Sequence, residues 1–185
     1  MVLEVMGRYA GWIALAAGIA GGADVILIPE IPYQINKVAQ KITERGQQDK
    51  KFSIIVAAEG AKPLGGEMVV QRTVEDSFDP VRLGGIGNLV AQQVEELTGK
   101  ETRVTVLGHL QRGGSPTAFD RILATRYGTM AVNLVMEGRF GEMVCLAGTK
   151  ISSVPLREGA GNMRQVPLDS DLINSARQLG ICLGD

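Results

Sequence analysis

RVTVLGHLQRGGSP, Arg103 to Pro116, is the stretch whose reading decides the fold. From Thr102 to Leu107 the residues alternate, with Val104 and Val106 on one side and Arg103 and Thr105 on the other. That is the period of a strand. Gly108 to Gly114 reads as a loop that holds the chain's single histidine, His109, three residues before Arg112. Ser115 can cap a helix and Pro116 can take its first position. A strand, a polar loop, a glycine turn and a helix in succession is the place where an α/β protein ordinarily holds its ligand.

Working outward, the spacing predicts a long helix from Ser115 to about Glu137, with Phe119, Ile122, Tyr127, Met130, Ala131 and Leu134 inward. Before the opening stretch, Ile86 to Leu97 repeats apolar residues on one helical face and ends at Thr98-Gly99. Ala61 to Gly85 keeps no period and reads as a long loop with a hairpin arm around MVVQ. Loops of that length are usually functional or interface-forming. Phe52 to Ala58 is a near-continuous apolar strand, as a central parallel strand covered on both faces must be. Glu59 closes that strand. Gln34 to Arg45 is an amphipathic helix with Ile35, Val38, Ala39 and Ile42 on one face.

At the start, Val2 to Val5 is a short strand with Glu4 inside it. Met6-Gly7-Arg8 follows, then a helix over WIALAAGIA that Gly21-Gly22 ends, then a buried strand from Val25 to Ile28. Beyond the long helix, Met143 to Ala147 and Lys150 to Leu156 are β-like, residues 157 to 168 are irregular, and Asp169 to Leu179 is a short helix. Alternating strands and helices imply an α/β fold with a mainly parallel sheet and helices on both faces. The strand-end residues Arg8, Glu59 and the cluster from His109 to Arg112 then gather on one sheet edge.

Composition narrows what that edge can do. The 185 residues carry a net charge of -1 and only 4% aromatics, so no global field or stacking surface favours nucleic acid or an anionic membrane. No window reaches the roughly 20 apolar residues of a membrane helix. Cys145 and Cys182 have no metal spacing, which fits a reducing, cytoplasmic setting. Neither a P-loop, a GxGxxG nor a GxSxG elbow occurs. Two or three guanidiniums and an imidazole suit a phosphate, and a carboxylate beside them suits hydroxyls. The bland alternatives are a loop arginine at Arg8, a turn cap at Glu59 and a satisfied histidine at His109. Read this way alone, the residues describe an anion-binding α/β protein, an enzyme of phosphorylated metabolites.

The same residues resemble the 6-phosphofructokinase family. VLEVMGRYAGWIALAAGIAGGADVILIPE is similar to the family's MGR segment, IIVAAEGA to its strand-plus-glutamate segment, and TRVTVLGHLQRGGSPTAFDRILATRYG to its carboxyl-half signature. The resemblance runs from Val2 to at least Pro155. It implies fructose 6-phosphate as substrate, phosphorylation at the 1-hydroxyl, and ATP or pyrophosphate as donor. By motif it places Met6, Gly7, Arg8, Glu59, His109, Leu110, Gln111 and Arg112 at the sugar phosphate. Arg8 would be catalytic, steadying the transferring phosphoryl group. Arg103 would reach a substrate across a subunit interface, which implies a homo-oligomer, a dimer or tetramer.

The resemblance also implies what the chain lacks. The donor loop, the Mg2+ ligands and the catalytic aspartate belong to an amino-terminal half that is absent, so these residues are expected to be inactive alone. Residues 1–111 would form the sugar-phosphate lobe, 112–165 would pack on the absent lobe, and 166–185 would return to the first. The helix after Ser115 would then show an uncovered apolar face. The length of the region from Gly60 to Gly85 resembles the branch with pyrophosphate-dependent and mixed-donor members. Phe52 stands where regulated members carry a polar residue. A sugar-phosphate-binding regulatory module and a fragment that pairs through its helix face are the other two readings.

Overall fold

A computed structural model describes residues 1–73, 81–161 and 163–185. The chain forms two compact units, one of Met1–Arg112 with Gln165–Asp185 and one of Gly113–Arg164.

The first unit is built on a four-stranded parallel sheet in the order β2-β3-β1-β6. Its strands are β1 (Val2–Val5), β2 (Val25–Leu27), β3 (Ile55–Ala58) and β6 (Val104–Val106). Each strand is short, and the inner ones bury nearly every residue, which is why they read as apolar runs. Side chains alternate between two cores. Val56 and Ala58 of β3 face one, with Ala14 and Leu15 of helix α1 (Trp12–Ala20) and Ile173 and Ala176 of α6 (Asp171–Gln178). Ile55 and Ala57 face the other, with Val38 and Ile42 of α2 (Ile35–Gln47) and Ile86, Val90 and Val94 of α3 (Ile86–Thr98). The sheet thus has helices on both faces, as the sequence pattern requires.

The order of strands positions the site. β1 lies between β3 and β6, in parallel register with both. The connection from β1 leads to β2 beyond β3, while the connection from β3 crosses to β6 on the other side. Chains that leave in opposite directions from neighbouring strands open a crevice at the carboxyl edge of the sheet.

Several boundaries differ from expectation. The strand expected from Phe52 begins at Ile55, and Phe52 is exposed. The reason is Arg45: its guanidinium donates to the Phe52 carbonyl and the Ser53 hydroxyl, both at 3.3 Å, and pairs with Asp24 at 2.8 Å. Those groups are therefore held by a side chain. The arm in the long loop is an antiparallel hairpin of β4 (Val70–Thr73) and β5 (Val81–Leu83) with a register shift between Val70 and Arg72. The part of the expected loop at residues 74–80 lies outside the described residues. At the carboxyl end, Cys182 extends the sheet: its carbonyl accepts the Ile26 N–H at 2.9 Å and its N–H donates to Asp24 at 3.0 Å. Nothing in the sequence signalled that extra bridge.

The second unit holds α4 (Ala118–Met136), an antiparallel hairpin of β7 (Glu142–Ala147) and β8 (Lys150–Pro155), and α5 (Leu156–Gly161). The cap of α4 is Thr117, not Ser115. Thr117 and Asp120 form a reciprocal capping box, with the Asp120 carboxylate accepting the Thr117 N–H at 2.8 Å. Ser115 has Ala118 three residues on and cannot close such a box. The inward face of α4 is Leu123, Tyr127, Met130 and Leu134, and only Leu134 is fully buried. Phe119, Ile122 and Ala131, expected inward, are exposed. The helix carries apolar residues on two sides, so periodicity alone could not tell them apart. Residues 157–161, expected to be irregular, belong to α5, which begins at Leu156, expected to end the preceding strand; Asn162 lies outside the described residues.

Candidate functional site

Three chain segments leave the carboxyl edge side by side: Met6-Gly7-Arg8 after β1, Glu59-Gly60 after β3, and a 3-10 turn, Gly108–Arg112, after β6. Backbone contacts fix their spacing. The Glu59 N–H donates to the Val5 carbonyl at 2.9 Å and the Gly60 N–H to the Gly7 carbonyl at 3.1 Å. Gly60 has to be glycine, since a Cβ there would lie 1.7 Å from the Arg8 carbonyl oxygen. The AAEG and MGR segments can approach this closely only because that atom is missing.

Between these segments lies a pocket of about 610 Å³. One end carries Arg8, His109 and Arg112, with Met6 and Glu59 beside them. A 3-10 turn has three residues per turn, so His109 and Arg112 share one face. The opposite wall comes from the hairpin arm and the start of α3, through Gln71, Gly84, Gly85 and Asn88. The Arg8 guanidinium carbon lies 5.3 Å from the centre of the Tyr9 ring, within cation–π distance.

The other expected site residues stand apart from the pocket lining. Gln111 points away from the His109–Arg112 face, and its side-chain carbonyl accepts the Met6 N–H at 2.7 Å. It braces the turn against the MGR loop across 105 positions of sequence. Leu110 is exposed at the surface of the turn. Gly7 has φ +148 and supports the bend of the MGR loop from behind. Arg103 precedes β6 at the opposite, amino edge of the sheet. There it pairs with Glu101 at 3.0 Å, and its side chain is largely exposed.

Sequence reasoning missed Gln71, Asn88 and the glycines of the far wall, because they come from the unperiodic region and the first turn of α3. It also missed Gly60 as a close-approach position. Two signals were present: a carboxylate, Glu4, inside an apolar strand, and the tetrad Gly84-Gly85-Ile86-Gly87 opening a helix. The MGR loop has a second support: the Glu30 carboxylate accepts the Gly11 N–H at 3.0 Å and the Val166 N–H at 2.8 Å, tying the start of α1 to the carboxyl-terminal segment. Among the described residues no group of three or more His, Cys, Asp or Glu could hold a metal ion, and no helix is long and apolar enough to cross a membrane.

Chemically, the pocket's lining offers the planar and imidazole donors of Arg8, Arg112 and His109, a half-buried carboxylate at Glu59, a buried one at Glu4 and the neutral amides of Gln71 and Asn88. The guanidinium and imidazole donors of such a set suit a phosphate, and its carboxylate suits hydroxyls.

The family described as Phosphofructokinase matches residues 1–135. The chain is 58% identical over its whole length to an ATP-dependent 6-phosphofructokinase of Chloroflexus aurantiacus, covering 50% of that protein. It is 53% identical to a pyrophosphate–fructose 6-phosphate 1-phosphotransferase of Amycolatopsis methanolica, over 90% of this chain and 49% of that one. Among solved structures, a pyrophosphate-dependent phosphofructokinase from Marinobacter aquaeolei superposes with a TM-score of 0.73 at 26% identity, over 100% of this chain and 48% of that one. Phosphofructokinase from Saccharomyces cerevisiae gives 0.67 at 33% identity, over 97% of this chain and 22% of that one. The chain spans about half the length of the curated relatives it matches. With a family match over most of its residues and the fold of those enzymes, this chain belongs to the phosphofructokinase family.

Proposed function

We propose that the chain supplies the fructose 6-phosphate site of a 6-phosphofructokinase, which transfers a phosphoryl group to the sugar's 1-hydroxyl to give fructose 1,6-bisphosphate. The observation that carries this reading is the meeting of Arg8, Glu59, His109 and Arg112 around one pocket in a chain of this family. In it, His109 and Arg112 hold the 6-phosphate through charge-assisted hydrogen bonds. Glu59 accepts hydrogen bonds from sugar hydroxyls. Met6 lines the sugar, and Gly7 shapes the loop that presents Arg8. Arg8 is the catalytic residue: its fixed charge faces the phosphoryl oxygens where negative charge spreads during transfer. Leu110 and Gln111 complete the turn, with Gln111 acting through Met6.

The donor is ATP or pyrophosphate. Relatives named for each are comparably similar, which supports both and separates neither. Phosphoryl transfer from either uses Mg2+ to neutralise the phosphates. Among the described residues no group of three or more His, Cys, Asp or Glu is placed to hold such an ion. In this reading the donor and metal ligands belong to a part of the protein outside these 185 residues, which span about half the length of the matched relatives. Arg103, at the far edge from its own pocket, would serve the pocket of another copy, so the working enzyme is a homo-oligomer. Two free cysteines suit the cytosol.

The test is a phosphotransfer assay on the full gene product with fructose 6-phosphate and each donor. Formation of the bisphosphate is expected. Failure with both donors, with the sugar phosphate still binding, would leave a regulatory sugar-phosphate module. Arg112→Ala should weaken the sugar phosphate by about 1.5–3 kcal/mol. Arg8→Ala should lower kcat more than affinity.

A further inference from the structure

Glu4 sits inside β1 between apolar neighbours and is 3% exposed, the one buried charged side chain among the described residues. Its Oε2 accepts the Gly87 N–H at 2.8 Å, and both oxygens accept the Gly85 N–H at 3.2 Å. These are donors of the first turn of α3, whose own helix offers them no acceptor. The partial positive charge of the helix dipole is concentrated there. The tetrad Gly84-Gly85-Ile86-Gly87 that opens α3 is the matching half of the arrangement. Gly85 has φ +94, and a Cβ on Gly87 would come within 3.1 Å of the Glu4 side chain. The Glu4 backbone serves the other wall: its carbonyl accepts the Leu107 N–H at 3.0 Å, directly before the turn of His109 and Arg112. Glu4 is a lining residue of the pocket together with Gly84, Gly85 and Asn88, and a Cβ on Gly84 would lie 3.6 Å from its Oε1.

A helix that opens on a pocket ordinarily attracts an anion to its first turn. Here the chain's own carboxylate takes that seat. We propose that Glu4 is a specificity-determining positioning residue, which fills the anion seat at the start of α3 and confines an anionic ligand to the His109–Arg112 end. A phosphate placed toward α3 meets a like charge; one placed toward His109 and Arg112 meets donors. The pocket is larger than one phosphate, so this difference in charge fixes which way a sugar phosphate lies. The inference rests on the sugar-phosphate reading and adds the orientation of the ligand to it.

Two variants of the full gene product test it by calorimetry, titrated separately with inorganic phosphate and with fructose 6-phosphate. Glu4→Gln keeps the size and one accepting oxygen but removes the charge. Glu4→Ala empties the seat. In Glu4→Gln, phosphate affinity should rise relative to fructose 6-phosphate affinity, by about three- to tenfold for one charge removed at short range. In Glu4→Ala, a phosphate site should persist when Arg112→Ala is added, and its absence in a folded protein overturns the inference. If Glu4→Ala does not fold, Glu4→Gln decides alone. A role limited to holding the fold would weaken both ligands alike. That result, an unchanged ratio, or a Glu4→Gln protein that fails to fold each overturns the inference. If the unaltered protein binds neither ligand, the sugar-phosphate reading itself falls. If it binds both and the ratio does not move, only the assignment of Glu4 falls.

Discussion

Ile26 and Ile122 are the same side chain in opposite surroundings. Ile26, in β2, is fully buried between the sheet and α1, while Ile122, in α4, is 61% exposed. The difference runs through their two units. In the first, apolar residues recur at the strand or helix period and two clusters of them are buried on the two faces of the sheet, with Ile13, Leu97 and Val106 among the exposed exceptions. In the second, α4 is apolar on two sides, and its hairpin covers only the side of Leu123, Tyr127, Met130 and Leu134. An apolar residue in a regular element is therefore a statement about a neighbouring surface, and the neighbour has to be present before the residue counts toward stability.

The largest expected effect breaks the comparison at that pair. Ile26→Ala should destabilise the protein by about 2–5 kcal/mol, as buried isoleucines do on truncation. Ile122→Ala should stay within about 0.5 kcal/mol, as an exposed substitution does. Chemical denaturation followed by a probe in each unit reads both. Equal losses would mean that α4 has a second covered face.

Next in size is Gly60→Ala. Its Cβ would collide with the Arg8 backbone, which is not the end of a flexible side chain, so the MGR loop has to move. We expect a loss of about 1–3 kcal/mol, the usual range for an overpacked site. Affinity for a sugar phosphate should fall with it. A wild-type affinity would separate the MGR loop from the pocket.

The second unit offers a smaller effect at its cap. Thr117→Ala removes the hydroxyl partner of the Asp120 N–H and should cost about 1 kcal/mol of local helix stability. Amide hydrogen exchange in the first turn of α4 measures it. Ser115→Ala should leave the same amides unchanged.

The smallest effect is electrostatic. In the second unit the Ser153 hydroxyl, and then the Arg139 guanidinium, hold the Glu142 carboxyl below its usual range. In the first unit Arg177 does the same for Asp185. A lowered folded-state value means that the stabilisation is complete above the unfolded pKa, about 4 for these groups, and is lost as pH falls through the lower folded one. Both pairs are at least partly exposed, so solvent screens them and the effect on stability is slight. NMR titration of Glu142 should show its midpoint moving up in Ser153→Ala. A fixed midpoint would leave Arg139 as the cause.

The same contrast explains how much the sequence could show. The parallel sheet, the two-sided cover and the gathering of strand-end residues were legible because the hydrophobic period of strands and helices carries them. Arg8, Glu59, His109 and Arg112 could be placed on one edge from their positions alone. What could not be read depended on distant groups. Arg45 shortens β3 from outside it, Cys182 adds to β2 from the far end of the chain, and Gln111 turns from the pocket to hold Met6. The far wall of the pocket was hidden because Gln71 lies in a region without period and Asn88 looks like any exposed helix residue. Glu4 was visible as an anomaly, but its partners, 81 and 83 positions away, were not.

The central claim is that the cationic end of the pocket holds the phosphate of a sugar phosphate. The protein has one histidine, so its imidazole signal in an NMR spectrum is unambiguous. On titration of the full gene product, fructose 6-phosphate should shift the His109 signal saturably, unphosphorylated fructose should not, and Arg112→Ala should move the midpoint roughly ten- to hundredfold higher. A His109 signal that ignores fructose 6-phosphate while the protein stays folded would contradict the account.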